Sequence, residues 1–177
     1  DEVKKLGVRL AAKATRQQLP FRFILIDDPA PNACAIPGGS ILISQPLIEL
    51  CSCEDELAGV LAHEIQHIDR RHALNTLAKN FAAKKLLNIA GPMLRKAAET
   101  LEVHIDRGYQ EDQEFEADIE GARLAKRAGF DPAGLANLLE KLGMPEPLEN
   151  SLQIEELPYF STHPPIRERV RRLRKPA

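Results

Sequence analysis

The chain carries almost no net charge: 24 lysines and arginines against 26 aspartates and glutamates leave a formal −2 over 177 residues. A basic field able to hold nucleic acid is therefore missing, and nucleic-acid partners are excluded on that ground. Cysteine is scarce as well. Cys34, Cys51 and Cys53 are odd in number and too few for a disulfide framework, and Cys51-Ser52-Cys53 lacks the second pair that a structural zinc knuckle needs. Internal repeats and low-complexity tracts are absent, and no segment qualifies as a membrane span. The nearest, Leu77 to Val103, holds Lys79, Lys84, Lys85, Arg95 and Lys96 and is interrupted by Gly91-Pro92. It reads as two helices breaking near Gly91, with Leu77, Phe81, Leu86, Leu87, Ile89 and Leu94 facing the core in the favoured reading and forming an exposed apolar surface in the other. The chain opens at Asp1 rather than methionine, as a processed form or a fragment does, so an export signal or anchor would lie upstream.

What is present is enough for one substantial core. Hydrophobic residues make up 44% of the chain, and 177 residues are too few for two comfortable domains, so residues 1–177 are expected to form a single catalytic domain. Asp1 to Leu19 has Val3, Leu6, Leu10 and Ala14 on one helical face. Phe21 to Ile26 reads as a buried strand. Ala33 to Ile36 and Ile41 to Ser44 read as short strands around a reversal at Pro37-Gly38-Gly39. Helices follow: one after Ser52, an acidic one from about Glu111 to Ala128 stopped by Gly129, and one opened by Asp131-Pro132 and running to about Leu142. Gly143 to Pro158 is loop-like, and a last helix starts at Pro164-Pro165. A helix, a small sheet and then mostly helices indicate an α+β domain, with its metal site on a central buried helix.

His63-Glu64-Ile65-Gln66-His67 is the most informative stretch. Positions i and i+4 of a helix lie one turn apart on one face, so both imidazoles can reach one ion. Glu64, beside that face, can act as general base on a metal-activated water. Ser52-Cys53-Glu54-Asp55 supplies an N-cap and an acidic first turn, with Ser52 as the capping residue, and Leu57, Val60, Leu61, Ile65 and Ile68 give the apolar spacing of a buried helix. A catalytic zinc commonly takes three protein ligands, which leaves one to find. His72, nine residues past His63, points away if the helix continues, and His104 reads as a surface residue. Glu111, Asp112, Glu114, Glu116, Asp118 and Glu120 form an acidic cluster. Within it Glu114 and Asp118 share a face, so one can ligate while the other accepts a hydrogen bond from a ligand imidazole; Glu111 can join them and Glu116 is turned away. Spacing alone leaves Glu114 and its neighbours as alternatives.

His63-Glu64-Ile65-Gln66-His67 followed by Glu114-Phe115-Glu116-Ala117-Asp118 resembles the paired elements of the HtpX and CAAX prenyl protease superfamily of zinc metallopeptidases, the gluzincin type. Two further pieces match: Asn32-Ala33-Cys34-Ala35-Ile36-Pro37-Gly38-Gly39, and Ser161-Thr162-His163-Pro164-Pro165 with Arg169. The resemblance runs from about Asn32 to Arg169. It implies one zinc ion per chain held by His63, His67 and Glu114, Glu64 as general base and acid, and Asp118 as support for a ligand. It also implies that His163 lies near the active site, on the zinc in a latent state or stabilising the oxyanion in an open one. Lacking transmembrane helices, the chain is more similar to the soluble periplasmic or envelope members, of the BepA and LoiP type, than to the membrane-embedded ones.

The expected activity is hydrolysis of internal peptide bonds in extended or misfolded proteins, as envelope quality control in a bacterial periplasm. The substrate would add as a strand along Asn32, Ala33 and Ala35, or along Ile41 to Ser44. Peripheral contact with a membrane or with outer-membrane proteins is expected with it. The rival reading is a zinc-stabilised, chaperone-like binding module, which Glu64 argues against because a pure binder needs no base. The C-terminal run Arg167, Arg169, Arg171, Arg172, Arg174 and Lys175 reads as a solvated helix face.

Overall fold

The computed structural model describes residues 2–76, 78, 110–143 and 166–175. The expected helices between Leu77 and Val103, the loop after Gly143, His104, His163 and the Pro164-Pro165 helix start lie outside these residues. The described elements are α1 (Glu2–Ala11), β1 (Arg22–Ile26), β2 (Ala33–Ile36), β3 (Ser40–Ser44), α2 (Gln45–Leu50), α3 (Glu54–Asp69), α4 (Glu111–Arg127), α5 (Gly134–Gly143) and α6 (Ile166–Leu173). This is the α+β arrangement expected from the sequence: mostly helix, with one small sheet.

The sheet order is β1-β3-β2, with β1 parallel and β2 antiparallel to the central β3. The β2–β3 reversal runs through Pro37-Gly38-Gly39, where both glycines adopt positive φ (100° and 105°) that other residues rarely tolerate. Gln45–Leu50, absent from the sequence reading, is a short helix with proline in its first turn.

Helix α3 is the axis of the fold. It packs against α4, α5, α1 and β2. Leu57, Leu61 and Ile65 of this helix meet Leu124 of α4, Leu135 and Leu138 of α5, Leu6 and Leu10 of α1, and Ile41 and Ile43 of β3 in one core. Full burial of such a side chain stabilises the fold by about 1.5–3 kcal/mol. Two glycines let the helices approach closely. A Cβ on Gly59 would stand 2.4 Å from the Leu135 backbone nitrogen, and one on Gly121 would stand 3.0 Å from that of His63. The second contact sets α4 directly against the His63 turn.

Several boundaries differ from the sequence reading. Helix α1 ends at Ala11 rather than near Leu19, because the chain turns to donate the Thr15 and Arg16 backbone N–H groups to Asp69 (2.8 and 3.0 Å). The N-cap of α3 is Cys53 rather than Ser52. Glu56 instead accepts the Ser52 backbone N–H at 2.7 Å, and Lys141 reaches both residues. Strand β1 is not buried: it stands at the sheet edge, with Leu25 59% exposed, and Phe23 is the residue that packs over Gly7 of α1.

Candidate metal centre

His63 and His67 lie on α3 and Glu114 on α4, and all three are fully buried. Their ligand atoms converge within 4.8 Å of one another, the one such His/Cys/Asp/Glu group among the described residues. His63 Nε2 and His67 Nε2 are 3.0 Å apart, and Glu114 reaches them at 3.5 Å through Oε2 and 3.3 Å through Oε1. Donors bound to one ion at about 2.0–2.1 Å in a tetrahedral array stand about 3.3 Å apart, so this set fits a zinc-sized cation. Its chemistry fits too: two imidazoles and a carboxylate, closed off from water.

Asp118, one turn beyond Glu114, accepts a hydrogen bond from His63 Nδ1 at 2.9 Å. That fixes a proton on Nδ1 and turns Nε2 toward Glu114. Arg169 clamps Asp118 in turn, donating from Nε at 2.9 Å and from Nη2 at 2.7 Å, while its Nη1 lies 3.4 Å from Glu114. Burial opposes ionisation of Asp118, but the Arg169 guanidinium and the His63 bond outweigh it and hold the carboxyl down at about 2. Burial and Arg169 likewise push the His63 imidazole down. Its bonds to Asp118 and Glu114 outweigh them, raising it to about 9, so the site favours positive charge at that ring.

The expectation for Arg169 as part of a solvated arginine face is therefore corrected. The side chain is fully buried, because Arg169 shares the inward face of α6 with Ile166, whereas Arg171 and Arg172 face solvent and pair with Glu168. The sequence held a signal: Ile166, Arg169, Val170 and Leu173 follow the i, i+3, i+4, i+7 rhythm of a core-facing stripe. Glu111, allowed to share the Glu114 face, is exposed.

His72 was expected to point away, and it does not. Helix α3 ends at Asp69, Arg71 takes a left-handed φ of 60°, and a new helical stretch covers 72–76. The break redirects His72 into the interior, with its Nδ1 3.1 Å from His67 Nδ1 and its Nε2 3.2 Å from Glu116 Oε2. Burial lowers the pKa of His72, favouring the neutral ring. Glu116 faces away from the three-donor cluster as expected, yet it joins the site through His72 and is ion-paired to Arg70.

Glu64, on the same turn as His63, is fully buried. It lies near enough to Cys34 of β2 to contribute to the rise of that thiol to about 11, of which burial is the larger cause. Strand β2, carrying Ala33 and Ala35, packs against α3, the helix of the base, and lies at the sheet edge opposite β1. Among the described residues no helix is long and apolar enough to cross a membrane.

Comparison with known proteins agrees with this geometry. Residues 1–177 match peptidase family M48. The chain is 29% identical over 175 residues to the mitochondrial metalloendopeptidase OMA1 of Schizosaccharomyces pombe, covering 97% of this chain and 51% of that protein. It is 32% identical over 154 residues to the beta-barrel assembly-enhancing protease of Escherichia coli, covering 79% of this chain and 32% of the relative. A putative beta-barrel assembly-enhancing protease of Vibrio cholerae is 31% identical over 182 residues, covering 95% and 37%. The chain therefore spans a third to a half of the length of these relatives.

Proposed function

The chain belongs to peptidase family M48, and from that premise we propose that residues 1–177 form the catalytic domain of a zinc-dependent metalloendopeptidase. The observation that carries the reading is the convergence of His63, His67 and Glu114 on one buried point, with Glu64 one residue from the first ligand. Zinc, when bound there, supplies Lewis acidity toward the scissile carbonyl and acidifies a water. Glu64 takes a proton from the attacking water and returns it to the leaving amide nitrogen. Asp118 keeps the His63 lone pair directed inward, and Arg169 keeps Asp118 ionised and in place. The sheltered setting strengthens each of these electrostatic contacts relative to water.

An extended polypeptide would add along β2, the outer strand that follows Asn32 and carries Ala33 and Ala35. This favours unfolded or misfolded chains, since a folded substrate cannot present a free strand. Support for an envelope role comes from the relatives named for β-barrel assembly, and the mitochondrial relatives mark the alternative compartment. His163 remains a proposed participant, with a changed rate in His163→Ala as its test.

The reading is tested by stripping the protein with a chelator and following cleavage of an unfolded polypeptide as zinc is returned. Activity lost on stripping and restored at one zinc per chain is expected. Cleavage that persists in the stripped protein contradicts it.

A further inference from the structure

The two histidines of the cluster are oriented by different devices. His63 is set directly by Asp118, whereas the Nδ1 of His67 meets another histidine. His67 Nδ1 and His72 Nδ1 are 3.1 Å apart with the rings inclined at 74°. Two ring nitrogens at that distance share one proton, so one must donate and the other accept.

The direction follows from both ends of the chain. Glu116 is a carboxylate and accepts only, so His72 donates to it from Nε2 at 3.2 Å. His67 turns its Nε2 toward His63 Nε2 and Glu114 Oε1, so as a metal ligand it carries its proton on Nδ1 and donates it to the Nδ1 lone pair of His72. Glu116 itself is held by Arg70, which also lies 3.4 Å from Glu120. The left-handed Arg71 explains how His72 comes to stand there, since a continued helix would carry it to the opposite side.

We infer that His72 is a positioning residue that fixes the tautomer and ring orientation of His67 through the series Glu116–His72–His67. The inference rests on the reading of His67 as a metal ligand. It assigns His72 and Glu116 a task equivalent to that of Asp118 and Arg169 on the other histidine, so that both imidazoles are turned with Nε2 toward the same point. Partners of this kind are worth about 10–100-fold in metal affinity.

The test is zinc affinity, measured by competition with a chromophoric chelator, for the parent, His72→Phe and His72→Asn, each with a thermal melt of its metal-free form. Phenylalanine keeps the ring and removes the acceptor; asparagine places an amide oxygen close to where Nδ1 was. His72→Phe is expected to bind zinc about 10–100-fold more weakly, and His72→Asn to recover most of that loss. Parent-like affinity in His72→Phe overturns the inference, as does an asparagine variant as weak as the phenylalanine one, which would make His72 a packing residue. A parent that binds no zinc overturns instead the metal-site reading beneath it. Should His72→Phe fail to fold, long-range proton–nitrogen NMR on the zinc-loaded parent decides. His67 protonated on Nδ1 with His72 protonated on Nε2 supports the series, and any other pair of states overturns it.

Discussion

Replacing Arg169 by methionine tests how far the metal centre depends on its buried ionic support. The methionine fills much of the same space but removes both hydrogen bonds to Asp118 (2.9 and 2.7 Å) and the 3.4 Å approach to Glu114. Asp118 is then left with His63 as its remaining partner in this set, 1% exposed and unable to recruit bulk water. Breaking a buried ion pair from one side costs about 3–5 kcal/mol, most of it the desolvation of the charge left behind. For a domain of this size each kcal/mol lowers the melting temperature by roughly 2–4 °C, so a fall on the order of 10 °C is expected. The assay is thermal and urea unfolding in chelator, so that lost metal binding does not enter. Combining Arg169→Met with Asp118→Asn removes the stranded charge, and the double variant is expected to lose clearly less than the sum of the two single losses. A single-variant loss below about 1 kcal/mol, or additive losses, would refute the reasoning.

Three further outcomes are expected. Gly121→Ala places a Cβ 3.0 Å from the His63 backbone nitrogen, pushes α4 outward and takes Glu114 and Asp118 with it; zinc affinity should fall and stability drop by about 1–3 kcal/mol, readable by chelator competition and urea unfolding. Ala33→Pro removes a backbone donor from β2 and should reduce kcat/KM on an unfolded polypeptide by roughly tenfold, the worth of about one hydrogen bond, at unchanged zinc stoichiometry; undiminished cleavage would remove β2 as the substrate strand. Thiol alkylation in mildly alkaline buffer should label exposed Cys53 first. Burial raises Cys34 to about 11 and Cys51 to about 12, so their reactive thiolates are scarce and should gain rate as pH rises toward those values; peptide mass mapping reads the order.

The parts of the fold legible in the sequence were those fixed by local period. His63 and His67 four residues apart, with Leu57, Leu61 and Ile65 behind them, specify a buried helix presenting two imidazoles, and Glu114 with Asp118 repeats the device on α4. Gly38-Gly39 and Gly129 marked a reversal and a helix end because their backbones need positive φ. The misread parts depend on where elements meet. Whether β1 is buried is decided by sheet order, which its five residues do not encode. His72 was lost by extending a regular helix through Arg71, a residue type that seldom adopts φ of 60° and gives no warning of it. Arg169 was legible on the apolar stripe of α6, but charge is ordinarily a mark of the solvated face, and its ion pairs with Asp118 and Glu114 make its burial tolerable.

The central claim is that this buried cluster cuts peptide bonds with Glu64 as the base. The zinc-loaded parent and its Glu64→Gln variant, incubated with an unfolded polypeptide mixture and examined for new termini by mass spectrometry, test it most directly. New termini made by the parent and absent with Glu64→Gln, at equal zinc content, are the expected result. Cleavage by both proteins, or by neither, would contradict it.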